Sequence, residues 1–413
     1  MFMVLLYRLG NAITVPYVNT ELLSALFRQE MGNTILALIN TMSGSALERA
    51  SIFALSIQPY INASIILQLL TVAIPALERL QKDGGEEGKK KIEKITRYST
   101  LGIAALQGYA YYTLIDRGFE GQSMLDPAAQ DSILPAIVIV ATFMAGSAVL
   151  MWMGEQITEF GIGNGISVIL FVSIVSRFPN QIYSMIQGGI KTPSNIWIYA
   201  IMLLGALAII VLIVIVNNSE RRIPVQYSKR VVGRKMYGGQ STHLPMKVNM
   251  SGVLPVIFAQ SIASIMPTIV VFVPRWKDSW LMQFLDTNGV PYMVLYFILI
   301  VFFSYFYSTV QFNPIEIANN LKKNGGFIPG FRAGKPTSEF IQRVLTKITL
   351  FGAIYLAIIA ITPLIVSYFS PTARSSGIAL GGTSVIIVVS VALETIKQLE
   401  SQLLMRHYKG FLE

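Results

Sequence analysis

The chain has 413 residues, 53% of them hydrophobic and 13% charged, with a mean hydropathy of +0.57 and a formal net charge of +10. That balance excludes an ordinary soluble domain and makes the apolar run of about 20 residues, long enough to cross a bilayer, the unit of organisation. Cysteine is absent and histidine occurs only at His243 and His407, which excludes disulfides, thiolate sites and a cysteine nucleophile and argues against a histidine metal site.

The first apolar run, residues 1–15, is short for a span, so either the first helix is truncated here or its beginning is disordered or removed. Its opening MFMVLLY has no basic leader and runs into Arg8 and the Pro16 loop without a small-residue cleavage site, so no cleavable signal peptide is expected. Asn33 to Leu47 is too short to span and too mixed for lipid. It reads as a surface loop, a re-entrant half-helix or a mobile element inside the bundle, because irregular backbone survives at membrane depth only where protein or water covers it. The next run, 51–74, places Ile57, Ile61 and Ile65 every fourth residue, with Ser56, Gln58, Asn62 and Ser64 between them. At that spacing the isoleucines share one helix face. A helix that met only lipid could be apolar all round, so the stripe is expected to face something else. Ordinary helix packing and a water-filled path with an apolar constriction both satisfy it.

Further runs at 98–115, 133–153, 164–187, 196–217, 251–273, 291–312, 345–367 and 378–397 bring the expected spans to ten. Between the fourth and fifth, MWMGEQITEFGIGNGIS at 151–167 carries Gly161, Gly163 and Gly165. No strand precedes them and no Lys-Ser/Thr follows, so the pattern predicts a tight turn, with Asn164 near the next helix start, rather than a phosphate loop.

Lysine and arginine sort the connections. The segments 75–97, 218–250, 313–347 and the tail carry seven, seven, six and three of them, against eight over all the alternate connections. The positive-inside bias therefore assigns the rich set and both termini to the cytoplasm, with 155–163, which has no basic residue, as the exception. Loops of about 30 residues are uncommon without a function. Basic residues alternating with Val, Tyr and Gly over 221–240 predict a hairpin projecting from the membrane, suited to an acidic partner surface or RNA. Ten spans divide into two fives at the short connection 188–195, giving domains 1–187 and 196–413, and consecutive halves of odd span number run in opposite orientation. The spans lack interior charges apart from Arg8 and Glu394, which argues against an ion-coupled pump. No grouping of nucleophile, base and orienting residue points to an enzyme.

Five segments, ASIFALSIQPYINASIILQLLTV, MWMGEQITEFGIGNGIS, QSTHLPMKVNMSGVLPVIFAQSI, FNPIEIANNLKKNGGFIPGFRAGKPT and GGTSVIIVV, resemble in order the SecY family, channel subunits of the bacterial protein translocon. The resemblance implies an all-α polytopic membrane protein: ten transmembrane helices in two inverted five-helix halves, a clamshell hinged at 188–195, with a re-entrant plug helix at about 34–45. It implies a lateral gate between spans two and three on one side and seven and eight on the other, with Asn62, Gln107 and Gln260 as candidate residues. The implied pore ring is Ile57, Ile61, Leu170, Ile174, Ile257 and Ile387, with Ile65 one turn beyond, and the plug draws on Thr34, Ile35, Ala37, Leu38, Ser43 and Gly44. Loops 218–250 and 313–347 match the surface that receives the SecA motor ATPase or the ribosome. There Arg332, within GFRAG, is the leading basic residue, supported by Arg234, Lys235, Lys229 and Arg230. The small membrane subunits SecE and SecG, signal peptides, nascent polypeptides and the lipid bilayer are the other implied partners. The implied location is the bacterial cytoplasmic membrane, and no cofactor or metal is implied. Ser56 stands where the family usually has glycine. A secondary transporter of a small solute, built on the same inverted halves, is the alternative, and the missing midplane charges count against it.

Overall fold

The computed structural model describes residues 2–29, 40, 43–82, 84–117, 123–126, 133–191, 196–227, 230–232, 235–237, 241–272, 289–369 and 381–409. Each predicted apolar run contains helix. In chain order these are α1 (Phe2–Gly10), α2 (Thr20–Gln29), α3 (Gln58–Ala73), α4 (Pro75–Lys82), α5 (Gly85–Arg117), α6 (Leu134–Phe160), α7 (Gly165–Val175), α8 (Phe178–Lys191) and α9 (Ile196–Asn218). After the strands come α10 (Leu254–Phe272), α11 (Val290–Gln311), α12 (Pro314–Lys323), α13 (Lys335–Phe369) and α14 (Gly381–Lys409). Among the described residues four helices are long and apolar enough to cross a membrane, at 134–160, 290–323, 335–366 and 382–404; α3 and α4 make a fifth if taken as one bent span.

That bend, 106°, has a local cause. Pro75 restricts the residue before it to extended backbone, and Ile74 accordingly has φ −109 and ψ 110 while its N–H still closes the helix on Leu70 O at 2.8 Å. The segment 75–97, expected to be a loop, is helical almost throughout. Glu86 and Lys90, Glu87 and Lys91, and Glu93 and Arg97 fall four apart, acidic residue first, a spacing that supports a helix by about 0.2–0.5 kcal/mol per pair. In the same way α13 begins ten residues ahead of its apolar run. The expected 188–195 connection is also shorter than read, since α8 continues through Lys191; 192–195 lie outside the described residues.

Run 51–74 corrects in the other direction, because its helix begins only at Gln58. Residues 43–57 form irregular turns that are nonetheless buried, with Ser43, Ala50, Ser51, Ala54 and Ile57 almost fully enclosed. Their backbone groups find protein partners: Ser45 N donates to Asn40 O (2.9 Å), Ser51 N to Ala46 O (2.9 Å) and Ile52 N to Ile13 O (3.0 Å), while Ala50 O accepts from Val15 N (2.9 Å). This is the condition under which non-helical backbone persists at membrane depth. Two glycines make room for it. A Cβ on Gly146 of α6 would stand 2.0 Å from Ile52 O, and one on Gly10 of α1 would overlap the Phe53 ring.

The two long basic loops fold as one unit. Strands β1 (Glu220–Tyr227) and β4 (Ser241–Lys247) pair antiparallel from Glu220 with Lys247 to Gln226 with Ser241, and β2 (Arg230–Val232) pairs with β3 (Lys235–Tyr237), as the predicted hairpin requires. Residues 313–347 are not a loop. They contribute α12, capped by Asn313 Oδ1 on Ile315 N and Glu316 N, a strand β5 (Gly326–Phe327) and the start of α13. β5 joins the free edge of β1, giving the order β4-β1-β5. Ile223, Val225 and Met246 from the sheet bury against Leu321, Ile328, Ile341 and Leu345, so the strand alternation has an apolar side facing α12 and α13.

Candidate functional site

The six candidate ring residues come from four places in the chain and meet in one hydrophobic cluster, none more than 7% exposed. Ile57 precedes α3 and Ile61 lies within it; Ile61 N donates to Ile57 O at 3.1 Å, so the two occupy successive turns of one face. Leu170 and Ile174 come from α7, Ile257 from the first turn of α10 and Ile387 from α14. Ile65 belongs to the same cluster, which also holds Tyr7, Phe53, Phe258 and Tyr296 among others. Across α3, Ile66 and Leu70 are exposed, so the predicted stripe does turn away from the lipid-facing side.

Local sequence explains how α7 reaches this position. Asn164 Oδ1 accepts from Ile166 N (3.0 Å) and Ser167 N (3.3 Å), the expected N-cap, and Thr158 Oγ1 accepts from Gly165 N (2.9 Å). Gly165 allows α7 to close on α6, since a Cβ there would fall 1.9 Å from Gly154 O. The three-glycine stretch is thus a packing turn. α7 packs against α14 as well as α6, while α10 packs on α3 and α5. The six side chains carry no polar atom. They can exclude water, and they offer no directional bond to hold a chain that passes.

At the edge of the candidate ring, within the same cluster, lies a polar contact that the sequence did not reveal. The Tyr7 hydroxyl meets Ser173 Oγ at 2.5 Å and reaches Ser43 O at 3.3 Å, and its ring stacks on Phe53 at 5.9 Å. Ser173 follows Leu170 by three residues, which puts it on the neighbouring face of α7, the one signal that could have drawn attention to it. At the other end Asn40 Nδ2 donates to Glu48 Oε2 (2.9 Å) and Glu48 N to Asn40 Oδ1 (3.1 Å), and the Tyr111 hydroxyl donates to Leu47 O. Of the plug candidates, Ser43 is fully buried and Gly44 has φ +69 against Ser173 O; Thr34, Ile35, Ala37 and Leu38 lie outside the described residues. Ser56, the position of the missing glycine, has φ +53, the left-handed region that glycine enters without cost.

On the folded basic unit Arg332 is exposed, and its carbonyl is held by Thr337 Oγ1 at 2.8 Å. Arg230 lies in β2 and Lys235 in β3; their side chains, and Lys229 and Arg234 altogether, lie outside what is described. The gate candidates Asn62 and Gln107 are half-buried on α3 and α5, and Gln260 is buried on α10, the helix packed against both.

Comparisons with known proteins give the family and the fold. The family model described as SecY matches residues 51–396. The protein translocase subunit SecY of Streptomyces coelicolor is 44% identical over 417 residues, covering 99% of this chain and 94% of its own, and that of Mycobacterium bovis is 44% identical over 428, covering 99% and 95%. Among solved structures, one described as the structure of a protein conducting channel superposes with a TM-score of 0.66 at 18% identity, covering 97% of this chain and 90% of its own. A second, described by the finding that the plug domain of the SecY protein stabilises the closed state of the translocation channel and maintains a membrane seal, gives 0.61 at 17% identity, covering 97% and 90%. The full-length identity to translocase subunits, on a helical fold shared with protein-conducting channels, means that the chain belongs to the SecY family.

Proposed function

We propose that this membrane protein is the channel subunit through which polypeptides cross, or enter, the bacterial cytoplasmic membrane, and that the aliphatic cluster is its seal. One observation carries the reading: six aliphatic side chains from four separate segments are all buried in the same hydrophobic core cluster. Such a constriction dewets and resists ions, yet grips no substrate sequence. The channel is not an enzyme, and the drive comes from a bound partner.

The finer assignments follow the same reading. Ten spans form two inverted halves, 1–187 and 196–413, hinged between them. Residues about 34–45 plug the channel from the side opposite the basic unit. A signal peptide opens the lateral gate, bordered by Asn62, Gln107 and Gln260, by binding the open state better than the closed one. The sheet unit with Arg332 faces the cytoplasm and receives SecA or the ribosome, SecE and SecG flank the bundle, and both termini are cytoplasmic.

Secretory chains arrested in transit test the seal. They should crosslink to probes placed at Ile61, Ile174 and Ile257, and labelling confined to the exposed positions Ile66 and Leu70 would overturn the reading. Because the chain has no cysteine, single cysteines can report topology without background. A thiol at position 332 is expected to react only from the cytoplasmic side.

A further inference from the structure

A chain of three polar side chains runs from the foot of the basic sheet into the bundle. Just past the end of β4, Val248 N donates to Ser219 O at 3.0 Å, tying the strand's exit to the end of α9. Asn249 Nδ2 donates to Asn217 Oδ1 at 3.0 Å, and Asn217 Nδ2 donates to Ser390 Oγ at 2.8 Å. These bonds join residues 32 and 173 positions apart. They link the sheet, α9 and α14 at one point.

What lies beyond each end of this chain makes it more than a local tie. Ser390 follows Ile387 by three residues on α14, about 4.5 Å along the axis and on an adjoining face. On the other side, Asn249 precedes by four residues Val253, whose carbonyl accepts from Ile257 N at 3.2 Å in the first turn of α10. A third element is wedged in place, since a Cβ on Gly352 of α13 would fall 2.8 Å from Val248 O. The sheet therefore cannot shift at its foot without disturbing segments that carry two of the six cluster residues. Asn249 Oδ1, buried, has no hydrogen-bond partner among the described residues. A shift of the sheet that gave it a partner would gain that bond.

We infer that Asn249, Asn217 and Ser390 are positioning residues that transmit a push on the basic sheet to Ile387 and Ile257. This rests on reading the aliphatic cluster as the seal. The test uses the full chain with its partner subunits and motor ATPase in proteoliposomes, comparing Ser390→Val with the near-isosteric Ser390→Thr, which keeps the hydroxyl. Ser390→Val should bind the motor and hold resting ion leak as the unchanged protein does, while the protein moved per ATP falls by at least about fivefold, the lower end of ordinary coupling energies. Ser390→Thr should restore it. If Ser390→Val does not accumulate in the membrane, Asn217→Ala carries the same test from the other side of the bond. Unchanged transport per ATP in the valine variant, or an equal fall in the threonine variant, overturns the inference. Ile387→Ser, measured alongside, separates the two readings: no rise in leak there removes the seal assignment, whatever Ser390 does.

Discussion

Residues 43–57 and 161–165 both carry irregular backbone beside the aliphatic cluster, but they meet the same steric demand with different residues. The second places Gly163 at its left-handed position, φ +85, whereas the first uses Ser45 (φ +69), Ala50 (φ +43) and Ser56 (φ +53) as well as Gly44. A non-glycine residue there costs on the order of 1–2 kcal/mol. The glycine turn is a relaxed clamp between α6 and α7. The 43–57 segment is strained yet buried, tied by Tyr7 to α7 and by Tyr111 to α5. Backbone strain held by surrounding contacts is what an element needs if it is to leave when those contacts change. If the first stretch is the element that moves when the channel opens, as proposed above, this contrast is where the two differ.

The clamp breaks with the largest effect. Gly165→Val puts a branched side chain where even a Cβ lies 1.9 Å from Gly154 O, so about 3 kcal/mol or more of overpacking is expected. Protease-resistant protein in membranes should be largely lost; near-normal yield would mean that α6 and α7 part easily. Next comes the cluster itself. Ile257→Asn buries an amide without a partner in the sealed state, about 1–3 kcal/mol, equivalent to roughly a 5–150-fold shift in favour of opening. Ion leak and export of proteins with defective signal sequences should both rise, and Ile61→Ser should act in the same direction. A tight seal in both variants would return the cluster to ordinary packing.

How far the sequence carried these positions differs between the two stretches. The glycine turn was legible because its determinants are local: three glycines, Asn164 and a change of apolar run. The start of α3 was not, since ASIFALSI is as apolar as the helix that follows and nothing in its composition announces turns. Tyr7 and Ser173 are 166 residues apart, so only the fold pairs them. The helical stretch over 75–97 was legible in its Glu and Lys spacing but hidden by counting its charges as a loop. The union of the two basic loops depends on Tyr227 meeting Gly326, a contact without a local signature. Resemblance supplied the candidate ring because its six members come from four separate segments that periodicity cannot connect.

Tyr7→Phe probes the ties that hold the strained stretch. It keeps the ring stacked on Phe53 and removes the hydroxyl contacts to Ser173 and Ser43. Ser173 Oγ retains its bond to Ile169 O at 2.7 Å, so no donor is stranded. The expected loss is about 1 kcal/mol, read as a severalfold rise in resting leak with little change in yield. Equal leak would mean that packing alone retains the segment.

An effect no larger should come from Ser56→Gly, and its sign is the informative part. At φ +53 the serine bears the left-handed penalty, and its hydroxyl is buried with no partner among the described residues. Glycine removes both costs and returns about 0.5–1 kcal/mol through its freer unfolded backbone. A net gain of roughly 1 kcal/mol is therefore expected, visible as a higher melting temperature in detergent. Because Ile57 follows directly and is the first of the six candidate ring residues, the relaxed variant should also leak less and demand a stronger signal sequence. A stabilised protein with unchanged gating would mean that the strain at Ser56 is borne by the fold and plays no part in opening. A destabilised one would mean that the serine makes a contact worth more than its conformation costs.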